Sequence, residues 1–330
     1  MLKFIITGGN GFIGTNLVLS LREKFPLGQI EVYLIDIAAP KIDLKRSEVW
    51  INLNILEETE ILVTFLKIKP DFVIHLAAQT SCDPTLILDD YLTNTKGSEN
   101  VFRACENAGV QFLVNTSTQY VNQSGKYPID DVDYAPNTIY GESKIIAEKL
   151  LREANYSFNW VTIRPTNIWG RWHLRYPYEF WKIIRDGKYY HPGNGIVVRS
   201  YGYVGNVCEQ IIQLVELRST SKVSRQVFYV GDVPVNLLDW VNGFSLAIAK
   251  RPAKVVHKHV VFMAALAGTI LMKFKINFPI TLSRYRSMTS SNPAPMEKTI
   301  EVLGKPKYSM QEGIAITTDW LFEFWNRQNV

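Results

Sequence analysis

Tyr140 and Lys144, in YGESK at residues 140–144, are spaced to put a phenol and an ammonium on one helix face. An unperturbed phenol titrates near ~10 and is a poor base at neutral pH. An ammonium beside it favours phenolate, which can take a proton from an alcohol. Taken alone the pair reads as solvated surface charge, so its meaning depends on what the rest of the chain brings to it. TGGNGFIG at 7–14 suits a second task. Gly8, Gly11 and Gly14 directly follow the apolar run LKFIIT and open a helix pattern over about 12–24. There Gly8 allows a tight turn, Gly11 lets a pyrophosphate approach the backbone, and Gly14 permits close packing of helix on sheet. The helix start, with Phe12 and Ile13, offers N–H groups and a favourable dipole to an anion. The next strand, EVYLID, ends in Asp36, 22 residues past Gly14, where a carboxylate would bind both ribose hydroxyls of an adenosine. A carboxylate there repels a 2′-phosphate, so the expected cofactor is NAD rather than NADP.

The elements that must hold these residues follow from periodicity. Strands are expected at 2–7, 31–36, near 49–53, 71–78, 111–118 and 159–165, alternating with helices at 12–24, 57–69, 91–109 and 138–155. Such alternation implies an α/β fold, a doubly wound parallel sheet of Rossmann type. After Pro165 the pattern changes. Residues 170–205 are rich in aromatics, Gly and Arg and read as loops over a cleft, QVFYVGD (226–232) reads as another strand, and SSNPAP (290–295) as a turn-rich linker. The expected division is an NAD-binding Rossmann domain over 1–165. Residues 166–330 then form mainly a smaller mixed α/β substrate-binding lobe, with the chain crossing back more than once.

Composition excludes several classes. With 47% hydrophobic and 20% charged residues the chain is neither disordered nor low in complexity. The formal charge is +5, without a basic stripe carrying aromatic platforms, so no nucleic-acid partner is expected. Cys82, Cys105 and Cys208 are far apart and show no metal-ligand spacing, so no metal is expected; this usage suits a reducing cytoplasm. The opening MLKFIITGG has too short an apolar run for a signal peptide. VVFMAALAGTILMKF (260–274) is as apolar as a membrane segment but falls short of the ~20 residues a span needs. It is expected to be a buried core helix. The alternative is a helix lying on a membrane surface, since Lys254, His257, Lys258, His259, Lys273 and Lys275 flank it.

Seven segments together resemble the extended short-chain dehydrogenase/reductase family, in the group of nucleotide-sugar epimerases and dehydratases. They are TGGNGFIG, Asp36, HLAA (75–78), Asn94 in TNTKGSEN, NTSTQY (115–120), YGESK and IRPTNIWG (163–170). The resemblance implies that Tyr140 exchanges the hydroxyl proton while hydride leaves the adjacent carbon. It implies that Lys144 also holds the nicotinamide ribose, and that Thr116 supplies the third catalytic hydroxyl with Ser117 as runner-up. It further places Asn52, Leu53, Leu76, Ala77, Ala78, Asn94 and Pro165 at the cofactor, and makes His75 structural. Thr118, Asn167 and Arg199 would face substrate, the last two on its diphosphate, which suits a guanidinium's forked donors. Asn52 and Asn206 stand where many relatives carry aspartate.

Relatives that remove water from a sugar carry an acid directly after the catalytic hydroxyl, often two in a row. Ser117 and Thr118 occupy those places and neither is a useful acid at neutral pH. The resemblance therefore implies epimerisation or keto/hydroxyl exchange on a nucleotide-diphosphate sugar, by a cytoplasmic enzyme that is commonly a homodimer and serves polysaccharide biosynthesis. A second reading stays open. FPITLSRYRSMT and the stretch from Met296 to Leu321 resemble the tail of the 3β-hydroxysteroid dehydrogenase branch, implying a membrane-associated sterol- or lipid-alcohol dehydrogenase. The aromatic cluster Trp169, Trp172, Tyr176, Tyr178 and Trp181 reads as core or as cover for a ligand, and no site is assigned to it.

Overall fold

The computed structural model describes residues 1–328 except 27, 275, 277 and 279. Lys275, one of the basic flanking residues, lies outside the described residues. In chain order the first elements are β1 (Leu2–Thr7), α1 (Phe12–Lys24), β2 (Ile30–Ile35), β3 (Glu48–Ile51), α2 (Glu58–Ile68), β4 (Phe72–His75), α3 (Lys96–Ala108) and β5 (Phe112–Thr116). Then come α4 (Ile139–Glu153), β6 (Asn159–Pro165), β7 (Asn167–Trp169), α5 (Phe180–Arg185), β8 (Tyr190–Pro192), β9 (Val198–Arg199), β10 (Tyr201–Tyr203) and α6 (Val204–Glu216). The last are β11 (Gln226–Val230), β12 (Val235–Asn236), α7 (Leu237–Ala249), β13 (Lys254–Val256), α8 (Lys258–Lys273), α9 (Leu282–Thr289), α10 (Glu297–Leu303) and α11 (Met310–Gln328). Met1–Ile168, Gly202–Asp232 and Pro295–Lys307 form one compact unit; Trp169–Tyr201, Val233–Ala294 and the chain from Tyr308 form another.

The first unit is built on a seven-stranded sheet in the order β11-β6-β5-β4-β1-β2-β3, with its strands parallel. Its strands are apolar on both faces, as strands covered by helices on both sides must be. Ile5, Val73 and Leu113 point into a core with Ile61 and Phe65 of α2 and Val101 and Phe102 of α3. The alternate residues Phe4 and Phe72 meet each other, ring to ring, on the opposite face. Strand order reverses between β1 and β4, and at such a switch point the loops diverge and leave a crevice at the carboxyl ends of the strands. Register aligns those ends: Thr7 pairs with Ile35 and with His75, His75 with Asn115, Thr116 with Ile163, and Pro165 with Val230.

Three expectations change. The helix expected over 91–109 begins at Lys96, because Leu88–Tyr91 form a separate 3-10 turn whose Tyr91 is buried with its hydroxyl on the Ser81 carbonyl. The strand expected over 71–78 ends at His75 and that over 111–118 at Thr116, where the chain leaves the ladder. The apolar run 260–274 forms α8 but is not a buried core helix: only Val261, Ala265 and Gly268 are buried. α8 packs against β8 and α9, and Val260, Met263, Ile270 and Met272 on it stay exposed. No described helix is long and apolar enough to cross a membrane. The second unit has its own core, in which Trp169, Trp181, Trp240 and Phe244 are buried against one another.

Candidate active site

The turn after β1 is shaped by contact as much as by conformation. Gly8 has φ +69, and a Cβ there would fall 2.6 Å from the Ala77 nitrogen, because the backbone after β4 crosses directly over the turn. A Cβ on Gly14 would fall 2.5 Å from the Gly8 and Gly9 carbonyls. Gly11 is the N-cap of α1; no side chain caps that helix and no acid sits in its first turn, which includes Phe12 and Ile13. A helix terminus left this way suits an anion. Asp36 stands just past β2 with its carboxylate anchored by the Asn10 and Ala38 N–H groups, each at 2.9 Å, which leaves further acceptor sites on both oxygens. Burial lowers the pKa of Lys41 and the Asp36 charge acts the other way, a neighbour that the sequence reading missed. Asn52 is exposed directly after β3, and Leu53 packs against the core.

His75 closes β4 with both ring nitrogens engaged, Nδ1 with Thr7 Oγ1 at 2.6 Å and Nε2 with Ser98 Oγ at 3.0 Å. Burial, with the Lys144 charge adding to it, pulls its pKa down to about 3, so the ring is neutral. After it come Leu76, whose N–H bonds the Thr7 carbonyl, then Ala77 and Ala78. Asn94 is buried and ties this loop to α4: its Oδ1 accepts from Gln79 N, while Nδ2 donates to Gln79 O and Ser143 Oγ. The side chain expected at the cofactor thus spends both amide hydrogens on holding the walls of the site.

α4 starts where Thr138 caps it, accepting from Gly141 N at 3.0 Å. Gly141 is obligatory, since a Cβ would fall 2.3 Å from the Tyr120 carbonyl. The second residue of the YGESK stretch was the visible sign of that close approach. The cap and this contact fix the first turn, which buries Tyr140 and, one turn on, Lys144. Lys144 Nζ donates to the Thr116 carbonyl at 2.9 Å. Burial lowers its pKa to about 8, with Glu148 acting the other way. Glu148 itself is committed to Arg164 of β6 in a pair 2.8 Å apart with both side chains essentially out of solvent. Asn122 and Tyr229 complete that cluster around the guanidinium.

Sequence chemistry expected an ammonium, together with the positive nicotinamide of bound NAD⁺, to favour phenolate. In the structure, burial pushes the Tyr140 phenol well above its usual value, and a hydrogen bond from the Thr118 side chain acts against that. Removing water around a phenol penalises its charged form, and the protein's own groups do not overcome this. The hydroxyl on the phenol is Thr118, which sequence reasoning had placed towards substrate. Thr116 gives its carbonyl to Lys144, while Thr116 Oγ1 and Ser117 Oγ are buried with no hydrogen-bond partner. Buried hydroxyls are seldom left this way unless a ligand or water meets them.

These residues fit a dinucleotide. The α1 terminus could take its diphosphate, Asp36 its adenosine ribose, and Tyr140 and Lys144 its reactive end beside Pro165, the last residue of β6. Asn167 lies in β7 and accepts the Tyr120 hydroxyl at 3.1 Å. Arg199 belongs to the second unit, where Nη1 bonds the Ser290 carbonyl and Nε is buried without a partner. Asn206, which departs from the family's aspartate, donates to partly buried Asp232; a second carboxylate there would face the first.

The NAD dependent epimerase/dehydratase family model matches residues 4–231. A GDP-6-deoxy-D-talose 4-dehydrogenase of Aggregatibacter actinomycetemcomitans is 27% identical over 221 residues, 65% of this chain and 70% of that protein. A sterol-4-alpha-carboxylate 3-dehydrogenase of Saccharomyces cerevisiae is 24% identical and covers 97% of both chains. A UDP-glucose 4-epimerase of Thermotoga maritima has the same fold, with a TM-score of 0.73 at 21% identity, over 98% of this chain and 99% of that one. The glycine turn and the α4 constellation lie within the matched span, and the chain belongs to the NAD dependent epimerase/dehydratase family, an enzyme family whose cofactor is NAD.

Proposed function

We propose that the protein oxidises and reduces a ring carbinol of a nucleotide-diphosphate sugar, by epimerisation or keto/hydroxyl exchange. The observation that carries this reading is the buried Tyr140–Lys144 pair, with Thr118 on the phenol and two unpartnered hydroxyls beside it. Tyr140 takes the carbinol proton as the C–H bond breaks and returns it on reduction. Lys144, anchored on Thr116 O, keeps a positive charge near the phenol and holds a ribose hydroxyl. Thr116 or Ser117 donates to the substrate oxygen, and Thr118 orients the phenol. NAD, when bound, supplies the two-electron acceptor and a positive ring that offsets the burial cost of phenolate.

Dehydration is disfavoured. Ser117 and Thr118 stand where dehydrating relatives carry an acid, and neither offers a carboxyl to protonate a departing hydroxyl. Asn167 and Arg199 are assigned to the diphosphate, and the working unit to a homodimer, which sedimentation velocity tests. The decisive experiment incubates the purified protein with UDP-, GDP- and dTDP-hexoses and follows both NADH absorbance and sugar stereochemistry by NMR. An epimer without net NADH selects epimerisation, and a ketose with stoichiometric NADH selects exchange. A 6-deoxy-4-keto product, or no change with any nucleotide sugar, overturns the proposal. A second reading, a sterol- or lipid-alcohol dehydrogenase, is favoured by the end-to-end coverage of the yeast sterol enzyme. NADH formation from a 3β-hydroxysterol in detergent, with none from nucleotide sugars, would select it.

A further inference from the structure

Residues 240–296 hold eight Lys and Arg and no Asp or Glu. The chain totals 36 basic and 31 acidic residues, so the remainder, with 28 bases, is net acidic. Positive charge is therefore concentrated in one segment of the second unit. Within it α8 turns hydrocarbon outward: Met263 is 61% exposed, Ile270 50% and Phe274 72%. These three, at i, i+7 and i+11, run along the helix opposite the buried stripe of Val261, Ala265 and Gly268. Lys254, Lys258 and Lys273 are exposed, as are Arg284 and Arg286 on α9.

The exposure does not come from a loose segment. Thr269 Oγ1 accepts from Leu282 N at 2.9 Å, and Phe262 meets Tyr285 edge-on at 5.4 Å. A Cβ on Gly268 would fall 2.1 Å from the Ile280 carbonyl, so the chain returning to α9 is seated against α8. A pinned helix pair thus presents an apolar ridge in a segment that carries exposed cations and no acids. A second copy of the chain would bring the same positive charge against it. Anionic phospholipid complements both features.

We propose that α8 and α9 form a membrane-surface docking element. α8, at 16 residues, is too short to span and lies in the headgroup layer of an anionic bilayer, with Met263, Ile270 and Phe274 towards the acyl chains. The proposal rests on the surface of the second unit alone and holds for either substrate reading.

The test is flotation of the full chain with vesicles of phosphatidylcholine alone and of phosphatidylcholine with phosphatidylglycerol. Binding to the mixed vesicles, weakened by salt, is expected. A Met263→Asp, Ile270→Asp, Phe274→Asp variant should bind at least about tenfold more weakly. Lys258→Ser and Lys273→Ser should each lose roughly fivefold and leave the apolar ridge intact, with NAD binding and melting temperature unchanged. Absence of flotation with both vesicles overturns the proposal, as does undiminished flotation of the triple variant. A dimer that the triple variant dissolves, with no vesicle binding by the wild type, would assign the ridge to a second copy instead.

Discussion

Two helices of this molecule invert the usual sorting of side chains, in opposite senses. α4 buries Tyr140, Lys144 and Glu148, whereas α8 leaves Met263, Ile270 and Phe274 in water. Burying an ammonium costs stability, and exposing hydrocarbon forgoes it, so neither arrangement is explained by folding alone. Single exposed apolar residues are ordinary, but an exposed row on an ordered helix is not, and neither is a buried charge whose hydrogen bond goes to a carbonyl. The two differ in what completes them. α4 finds partners within its own unit, Thr116, Thr118 and Arg164. α8 finds partners along one stripe and offers an area that suits a surface.

The contrast can be broken most directly at Tyr140. Tyr140→Phe should lower kcat/KM by about 10³-fold, as loss of a positioned acid–base group does, while NAD binding and melting temperature hold. Retained turnover would make the α4 inversion structural. Glu148→Leu should cost about 3–5 kcal/mol, read by urea unfolding, because it leaves the Arg164 guanidinium buried and uncompensated. A loss below about 1 kcal/mol would show that water reaches the pair. On α8 the two faces should separate. Gly268→Ala should destabilise by about 1–3 kcal/mol through its clash with Ile280, whereas Met263→Ser should change stability by less than about 0.5 kcal/mol. Equal effects would mean that the exposed row is packed in solution.

A pH dependence sharpens the electrostatics. The folded-state pKa of Lys144 is about 8, below its ordinary 10.5, so between those values the unfolded chain binds the extra proton. Stability should therefore rise with pH across that window in the wild type, relative to Lys144→Met, which has no such proton. A flat difference between the two unfolding curves would place Lys144 in solvent.

Much of this was legible in the chain because local patterns and global packing agree. β6 spans the expected 159–165 and α1 the expected 12–24, since apolar runs and glycines there mark both the period and its ends. The glycine turn, Asp36 and the i, i+4 spacing of Tyr140 and Lys144 could be read for the same reason. The hydroxyl on the phenol could not. Three consecutive hydroxyls begin with Thr116, the last ladder residue of β5, and the path taken beyond it decides which one meets Tyr140. The burial of α8 was also out of reach, because periodicity reports which residues are apolar and not whether a neighbour exists to cover them. The structural bonds of Asn94 were out of reach for a third reason: the resemblance names a cofactor contact and is silent on its bonds to Gln79 and Ser143.

The order of segments in the first unit bears on how the chain is made. β6 ends at Pro165, but β11, which pairs with it, emerges only at Gln226, about 60 residues later, after a portion that belongs to the other unit. On the ribosome the nascent sheet therefore waits with β6 as an open edge, a template for any passing strand. Closure requires the intervening aromatic stretch to be synthesised and kept from pairing meanwhile. Slower elongation across residues 170–225 would lengthen that exposure, so codon choice there should affect soluble yield more than the same change made after β11.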